Sequence, residues 1–263
     1  MRTSYQLIAV LCLFLFGSCS IDTNPEKHNE GADNVLLSAP EAFVRGLKAH
    51  GGHERWEKFY TLQFNVASGE IYEQHLIDLK TRKVLITADT AYSIGFEGEQ
   101  VWVSPTLKSF PGGSPRFYHS LVFYFFSMPF VLADPGTVAV GLPDAELYGQ
   151  SFSKVRVTFG KAVGDSPNDQ YILWFKKDDN QLYMLNYSAT YFDPANKGLN
   201  AVVYNEWREA NGILVPTKWS YYEWKNGSLG DLRGTETIEN VVFSEKVTPP
   251  EKFTRPLVSE ISN

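Results

Sequence analysis

The chain has 263 residues, two cysteines and a formal net charge of −6, from 24 Lys and Arg against 30 Asp and Glu. An acidic balance without a lysine- or arginine-rich cluster excludes a nucleic-acid surface, because phosphates demand a basic face. Aromatic residues make up 14% of the chain (18 Phe, 14 Tyr, 6 Trp), so a core held by apolar burial alone is within reach.

The first nineteen residues read as an export signal. Arg2 supplies a basic start, Leu7 to Phe16 is almost purely apolar, and Gly17-Ser18 precede Cys19. The apolar run is about half of the roughly twenty residues that a bilayer-spanning helix needs. The small residues before Cys19 resemble the lipobox of bacterial lipoproteins, with Phe16 larger than that pattern usually holds. The resemblance implies cleavage before Cys19 and acyl chains on that residue, which together anchor a protein stably at a membrane. Ser20 then permits transport to the outer membrane under the sorting rule of Escherichia-like envelopes. With Cys12 removed and Cys19 acylated, no thiol remains for a disulfide, a zinc cluster or a nucleophile. The expected organisation is a signal peptide (1–18), a flexible polar tether (19–35) and one domain (36–263).

The domain opens with a helix. Ser38 is placed to cap it, with Glu41 reaching back. Phe43, Val44 and Leu47 recur at helical spacing, Gly51-Gly52 stops the helix, and Trp56 and Phe59 suggest a second short turn. From Leu62 the pattern changes to short β-branched and aromatic runs. Strands are expected at 61–68, 71–79, 82–89, 91–96, 100–104, 154–159, 170–176, 181–192, 200–208, 213–225 and 231–243. Asn211-Gly212 and Asn226-Gly227 are the clearest hairpin signals, since a tight hairpin turn requires positive φ. Consecutive hairpins give an antiparallel meander. Runs apolar on both faces, such as Tyr171 to Phe175, point to a large curved sheet with one face filled and the other partly covered.

One segment breaks the pattern. Half of the residues from Phe117 to Phe130 are aromatic, between Ser114-Pro115 and Asp134-Pro135-Gly136. Pro129 interrupts it, and it is too short for a membrane span. It reads as one or two short helices lying in the concavity of the sheet, because a helix apolar all round must be buried on most sides.

A capped N-terminal helix, a long meander and an aromatic helical insertion on a lipobox chain resemble the LolA/LolB-like superfamily. More narrowly, Ala49-His50-Gly51-Gly52 with Trp56, Phe123 to Phe130 leading to Asp134-Pro135-Gly136, Gly164 to Asp169, and Asn211 to Pro216 resemble a group of lipoproteins from Bacteroidota-type bacteria. The resemblance covers about residues 36–245. It implies a mainly β (α+β) fold: a large curved antiparallel sheet forming an unclosed barrel, with helices plugging or lidding an apolar cavity. A carrier role is analogy only, since fold does not fix function.

Several constellations invite a chemical reading. His50 and His53 could ligate a metal, but a helix stop with a histidine at its C-terminus explains the same residues. Asp165, Asn168 and Asp169 could coordinate calcium, although their spacing suits a polar turn fixed by Pro167. Glu70, Glu73 and Asp78 could supply carboxylate pairs, and His119 a base; Gly112-Gly113-Ser114-Pro115 has proline where a nucleophile elbow requires glycine. No cofactor motif is present, and His119 reads as a packed residue or a tyrosine partner. The aromatic segment carries the principal expectation. Phe117, Tyr118, Phe123, Tyr124, Phe126 and Phe130 would line a cavity for a lipid or another hydrophobic molecule. Alternatively the same residues fill the half-barrel as core. The functional reading is a lipid-anchored envelope protein, at the outer membrane, that binds such a ligand without catalysis. A protein-interaction module supporting an envelope complex, presenting exposed strands near Trp207, Trp219 and Trp224, is the second reading. A hydrolase is the third.

Overall fold

The computed structural model describes residues 35–262 except 90, 161–165, 167 and 197. The expected signal peptide, the expected tether to residue 34, Cys19 and Ser20 lie outside the described residues, as do Asp165 and Pro167.

Two helices come first, α1 (Glu41–Ala49) and α2 (His53–Trp56). Helix α1 is amphipathic and buries Phe43, Gly46 and Leu47. Its N-cap is Pro40, with no side-chain cap, so the expected Ser38–Glu41 box does not form. Residues 35–38 are themselves helical, and the Ser38 hydroxyl donates to the Val35 carbonyl instead, at 3.2 Å.

The strands are β1 (Thr61–Ser68), β2 (Ile71–Asp78), β3 (Val84–Ala88), β4 (Tyr92–Phe96), β5 (Val101–Ser104), β6 (Thr137–Leu147), β7 (Gln150–Phe159), β8 (Gln170–Lys176), β9 (Leu182–Tyr187), β10 (Asn200–Ala210), β11 (Ile213–Lys225), β12 (Ser228–Ser244) and β13 (Glu260–Ser262). They form one 13-stranded sheet in the order β13-β5-β4-β3-β2-β1-β12-β11-β10-β9-β8-β7-β6. Among the described residues every pairing is antiparallel, and the two end strands do not pair with each other. The sheet is therefore a curved, unclosed barrel. Both Asn-Gly turns have positive φ at both residues, and tight pairings close the hairpins between Ala210 and Ile213 and between Lys225 and Ser228.

Sequence periodicity misses β6 entirely and starts β7 four residues late. Gly141, Pro143 and Asp144 make β6 read as a loop. It is an edge strand, and Pro143 falls within the register shift between Leu142 and Ala145, where a missing N–H breaks no ladder bond. The run expected to continue to 192 ends at Tyr187, and the short β13 carries no periodic signal to find.

The insertion between β5 and β6 is helix α3 (Pro115–Phe126), followed by a 3-10 turn at Phe130–Ala133. Ser114 caps α3 by accepting from the Phe117 N–H, with Pro115 in the first turn. At the other end the Tyr204 hydroxyl donates to the Phe125 carbonyl at 2.8 Å, satisfying an acceptor that a helix end leaves open. Helix α3 lies in the concavity, where one continuous core joins it to α1, α2 and the inward residues of the sheet. Alternate residues of β7 to β10 build a second cluster of Phe152, Trp174, Met184, Ala201 and Val203. Among the described residues no helix is long and apolar enough to cross a membrane.

Candidate functional site

The six aromatic residues singled out on the insertion separate into two groups. Phe126 and Phe130 are fully buried; Phe126 stacks on Phe64 at 4.6 Å and Phe130 on Trp56 at 4.8 Å. They line neither hollow described below and fill the concavity as core. Phe117, Tyr118, Phe123 and Tyr124, also on α3, border two hollows instead.

The first hollow, of about 280 Å³, lies between α3 and β8, with Phe117, Phe123, Tyr124, Phe159 and Tyr171 in its wall. Arg82, Arg116, His119 and Asp169 bring polar groups to the same space. The second, of about 380 Å³, holds Tyr92, Phe110, Phe117, Tyr118 and Phe192. Phe117 is the wall common to both. Its ring meets Tyr191 and Phe192, each at 5.2 Å, and Phe192 is 68% exposed, so this aromatic triad forms the rim.

Beneath the second hollow lies a polar network that sequence reasoning does not find. Glu73 is fully buried on β2 and accepts from Tyr92 at 2.5 Å and Tyr118 at 2.6 Å, with His75 Nε2 at 3.0 Å. Burial pushes the Glu73 carboxyl up, but the hydrogen bonds from His75, Tyr118 and Tyr92 outweigh it and hold it below the usual range. Burial and the Glu73 charge raise both tyrosines. Nearby on β12, burial drives Glu236 up to about 7; the Tyr221 hydroxyl, 3.0 Å away, opposes this and the Glu73 charge adds to it. Strand alternation was the available signal, since Glu73 and His75 share a face with core residue Ile77. Tyr118 thus ties α3 to the sheet.

The other candidate groups do not converge. Glu70 is exposed, and Asp78 accepts from the Lys80 and Thr81 N–H groups in the β2–β3 turn. His50 is buried, with Nδ1 2.7 Å from the Gly46 carbonyl and Nε2 3.4 Å from the Leu182 N–H, so both ring nitrogens face backbone. Burial lowers its pKa to about 4. Asn168 points to solvent while Asp169 is buried and accepts from the Thr190 N–H at 2.7 Å, so they do not form a common oxygen cage. His119 packs 4.7 Å from Phe96, with Nδ1 2.5 Å from the Arg116 carbonyl. Among the described residues no group of three or more His, Cys, Asp or Glu is placed to hold a metal. The tryptophans expected on exposed strands are not a free surface either. Trp219 is fully buried, Trp207 packs on the main core and Trp224 on the second cluster, because these strands are covered on both faces.

No protein-family model and no curated protein matches the sequence. Similar solved structures include a LolA superfamily protein from Nitrosomonas europaea, at 12% identity and TM-score 0.46, covering 74% of this chain and 88% of that one. A DUF1329 family protein from Desulfovibrio piger is similar at 13% identity and TM-score 0.47, covering 81% of this chain and 95% of that one. Likeness at this level carries no inference about ligand or activity.

Proposed function

We propose that this chain is a lipid-anchored envelope protein, of LolA/LolB-like kind, that holds a small hydrophobic molecule without catalysis. The acyl chains on Cys19 would fix it to the outer membrane. The observation that carries the reading is the pair of aromatic hollows meeting at Phe117, of about 280 and 380 Å³. Apolar walls with a few polar groups are the usual makeup of a small-molecule site. Phe126 and Phe130 are solid core, so ligand binding belongs to the part of α3 before Phe126.

The test is titration of the chain with a fluorescent fatty acid. Binding weakened about tenfold by Phe117→Ala, with the unfolding midpoint little changed, supports the reading; binding unaffected by Phe117→Ala rules out the shared wall as the site. A protein-interaction role has one observation of its own. Edge strand β6 pairs only with β7 among the described residues and exposes Val138 and Val140. An edge of this kind accepts an extended peptide through backbone hydrogen bonds.

A further inference from the structure

The two hollows differ in the charge around them. Arg82 and Arg116 belong to the lining of the first, whereas the wall of the second holds no charged side chain. Five aromatic residues stand in that second wall, Tyr92, Phe110, Phe117, Tyr118 and Phe192. Phe110 lies 5.4 Å from Tyr92 and 5.1 Å from Tyr118, and Phe117 lies 5.2 Å from Phe192, ring centre to ring centre. Both tyrosine hydroxyls donate to Glu73, at 2.5 and 2.6 Å, so a carboxylate sits one hydroxyl behind two of these residues. With their hydrogens committed there, the tyrosines keep ring π-density and oxygen lone pairs for the hollow. The charge of Glu73 is not cancelled by its neighbour. His75 Nε2 faces the carboxylate at 3.0 Å, and His75 Nδ1 is buried without a hydrogen-bond partner among the described residues. A neutral imidazole protonated on Nε2 fits this arrangement, whereas an imidazolium would bury an N–H with nothing to accept it.

We propose that the second hollow takes an organic cation, an ammonium head group on an apolar chain, held against the aromatic wall and drawn by the charge of Glu73. The inference rests on the hydrophobic-ligand reading and adds the head group to it. A cation is attracted to the electron-rich face of an aromatic ring, and aromatic enclosures are a recurrent means of holding quaternary ammonium groups. Glu73 is fully buried and touches no ligand. Its field still reaches the hollow, because the side chains between them are poorly polarisable and bring no counter-charge.

The full chain carrying Cys19→Ser, so that no acyl group on residue 19 competes, would be titrated by calorimetry with decyltrimethylammonium and with decanol, in salt sufficient to screen surface charge. The cation is expected to bind about tenfold more tightly than the alcohol. Glu73→Gln keeps an acceptor for the tyrosine hydroxyls and removes the charge, so it should narrow the gap to about threefold or less and leave decanol unchanged. Phe192→Leu, at the exposed rim of this hollow alone, should narrow the gap as well. Equal affinities in the Cys19→Ser chain, or a gap untouched by Glu73→Gln, overturn the assignment. If Glu73→Gln does not fold, Phe192→Leu decides, and an unchanged gap there overturns it too. Equal affinities that Phe117→Ala lowers for both ligands remove only the cation and leave the hydrophobic site. Binding of neither ligand removes both.

Discussion

His50 and Glu236 give the chain opposed responses to pH. His50 has a folded pKa of about 4, below the ordinary 6.5, because burial disfavours its charged form. Between those values the unfolded chain binds the extra proton, so stability falls as pH drops from 6.5 to 4, by roughly 3 kcal/mol in all. Glu236 behaves in the reverse sense. Its folded pKa of about 7 exceeds the ordinary 4.5, so the native state holds the extra proton and stability falls as pH rises from 4.5 to 7. The two slopes oppose one another from about pH 4.5 to 6.5, which single variants separate. Glu236→Gln should raise the urea midpoint at pH 7.5 relative to pH 5, and His50→Gln should flatten the loss below pH 6.5. A Glu236→Gln chain with the unsubstituted pH profile would show that the carboxyl is ionised throughout. The two ends of the aromatic insertion should differ as sharply. Phe126→Ala opens a cavity beside Phe64 and should cost about 3–5 kcal/mol, whereas Phe117→Ala, at a half-open wall, should cost about 1 kcal/mol. Equal losses in chemical denaturation would mean that Phe117 is core too.

At the scale of elements, the helix stop and a distant hairpin form one joint. Gly51 has φ 111°, and a Cβ there would stand 2.3 Å from the Gly212 carbonyl oxygen. The Leu214 N–H donates to the His50 carbonyl at 2.9 Å, and Arg55 Nη1 donates to the Asn211 carbonyl at 3.2 Å. Gly51→Ala therefore suffers both backbone strain and collision, and should cost about 3 kcal/mol or more. Gly52→Ala meets nothing within 4 Å at φ 89° and should cost about 1–2 kcal/mol. Equal midpoints for the two variants in thermal unfolding would dissolve the joint. The attachment of α3 is the second joint. Tyr118→Phe removes one hydroxyl from the buried Glu73 and should lower stability by about 1–3 kcal/mol. Hydrogen exchange in α3 should rise with it, and exchange confined to the unsubstituted pattern would show that the helix is held by packing alone.

For the whole molecule, the meander was legible because its hairpins are local. Asn211-Gly212 and Asn226-Gly227 announce their turns, and the Phe117–Phe130 run announces an element buried on most sides. The missed strand β6 is the converse case. Gly141 and Pro143 are turn formers by composition, and only pairing with β7 makes them part of a ladder. The site divides along the same line. Aromatic richness located the insertion, but not which half of it packs against Phe64 and Trp56 and which borders open space. That depends on how the sheet curves. The Glu73 network joins β2, β4 and α3, a convergence that no spacing in the sequence encodes.

The most direct measurement is native mass spectrometry of the full chain purified from its source cells, with extraction and identification of any bound molecule. The account predicts one small hydrophobic molecule per chain beyond the proposed acyl anchor, lost on Phe117→Ala. A clean mass without such a molecule, together with no uptake of a fluorescent fatty acid, would contradict it and leave the whole aromatic insertion as core.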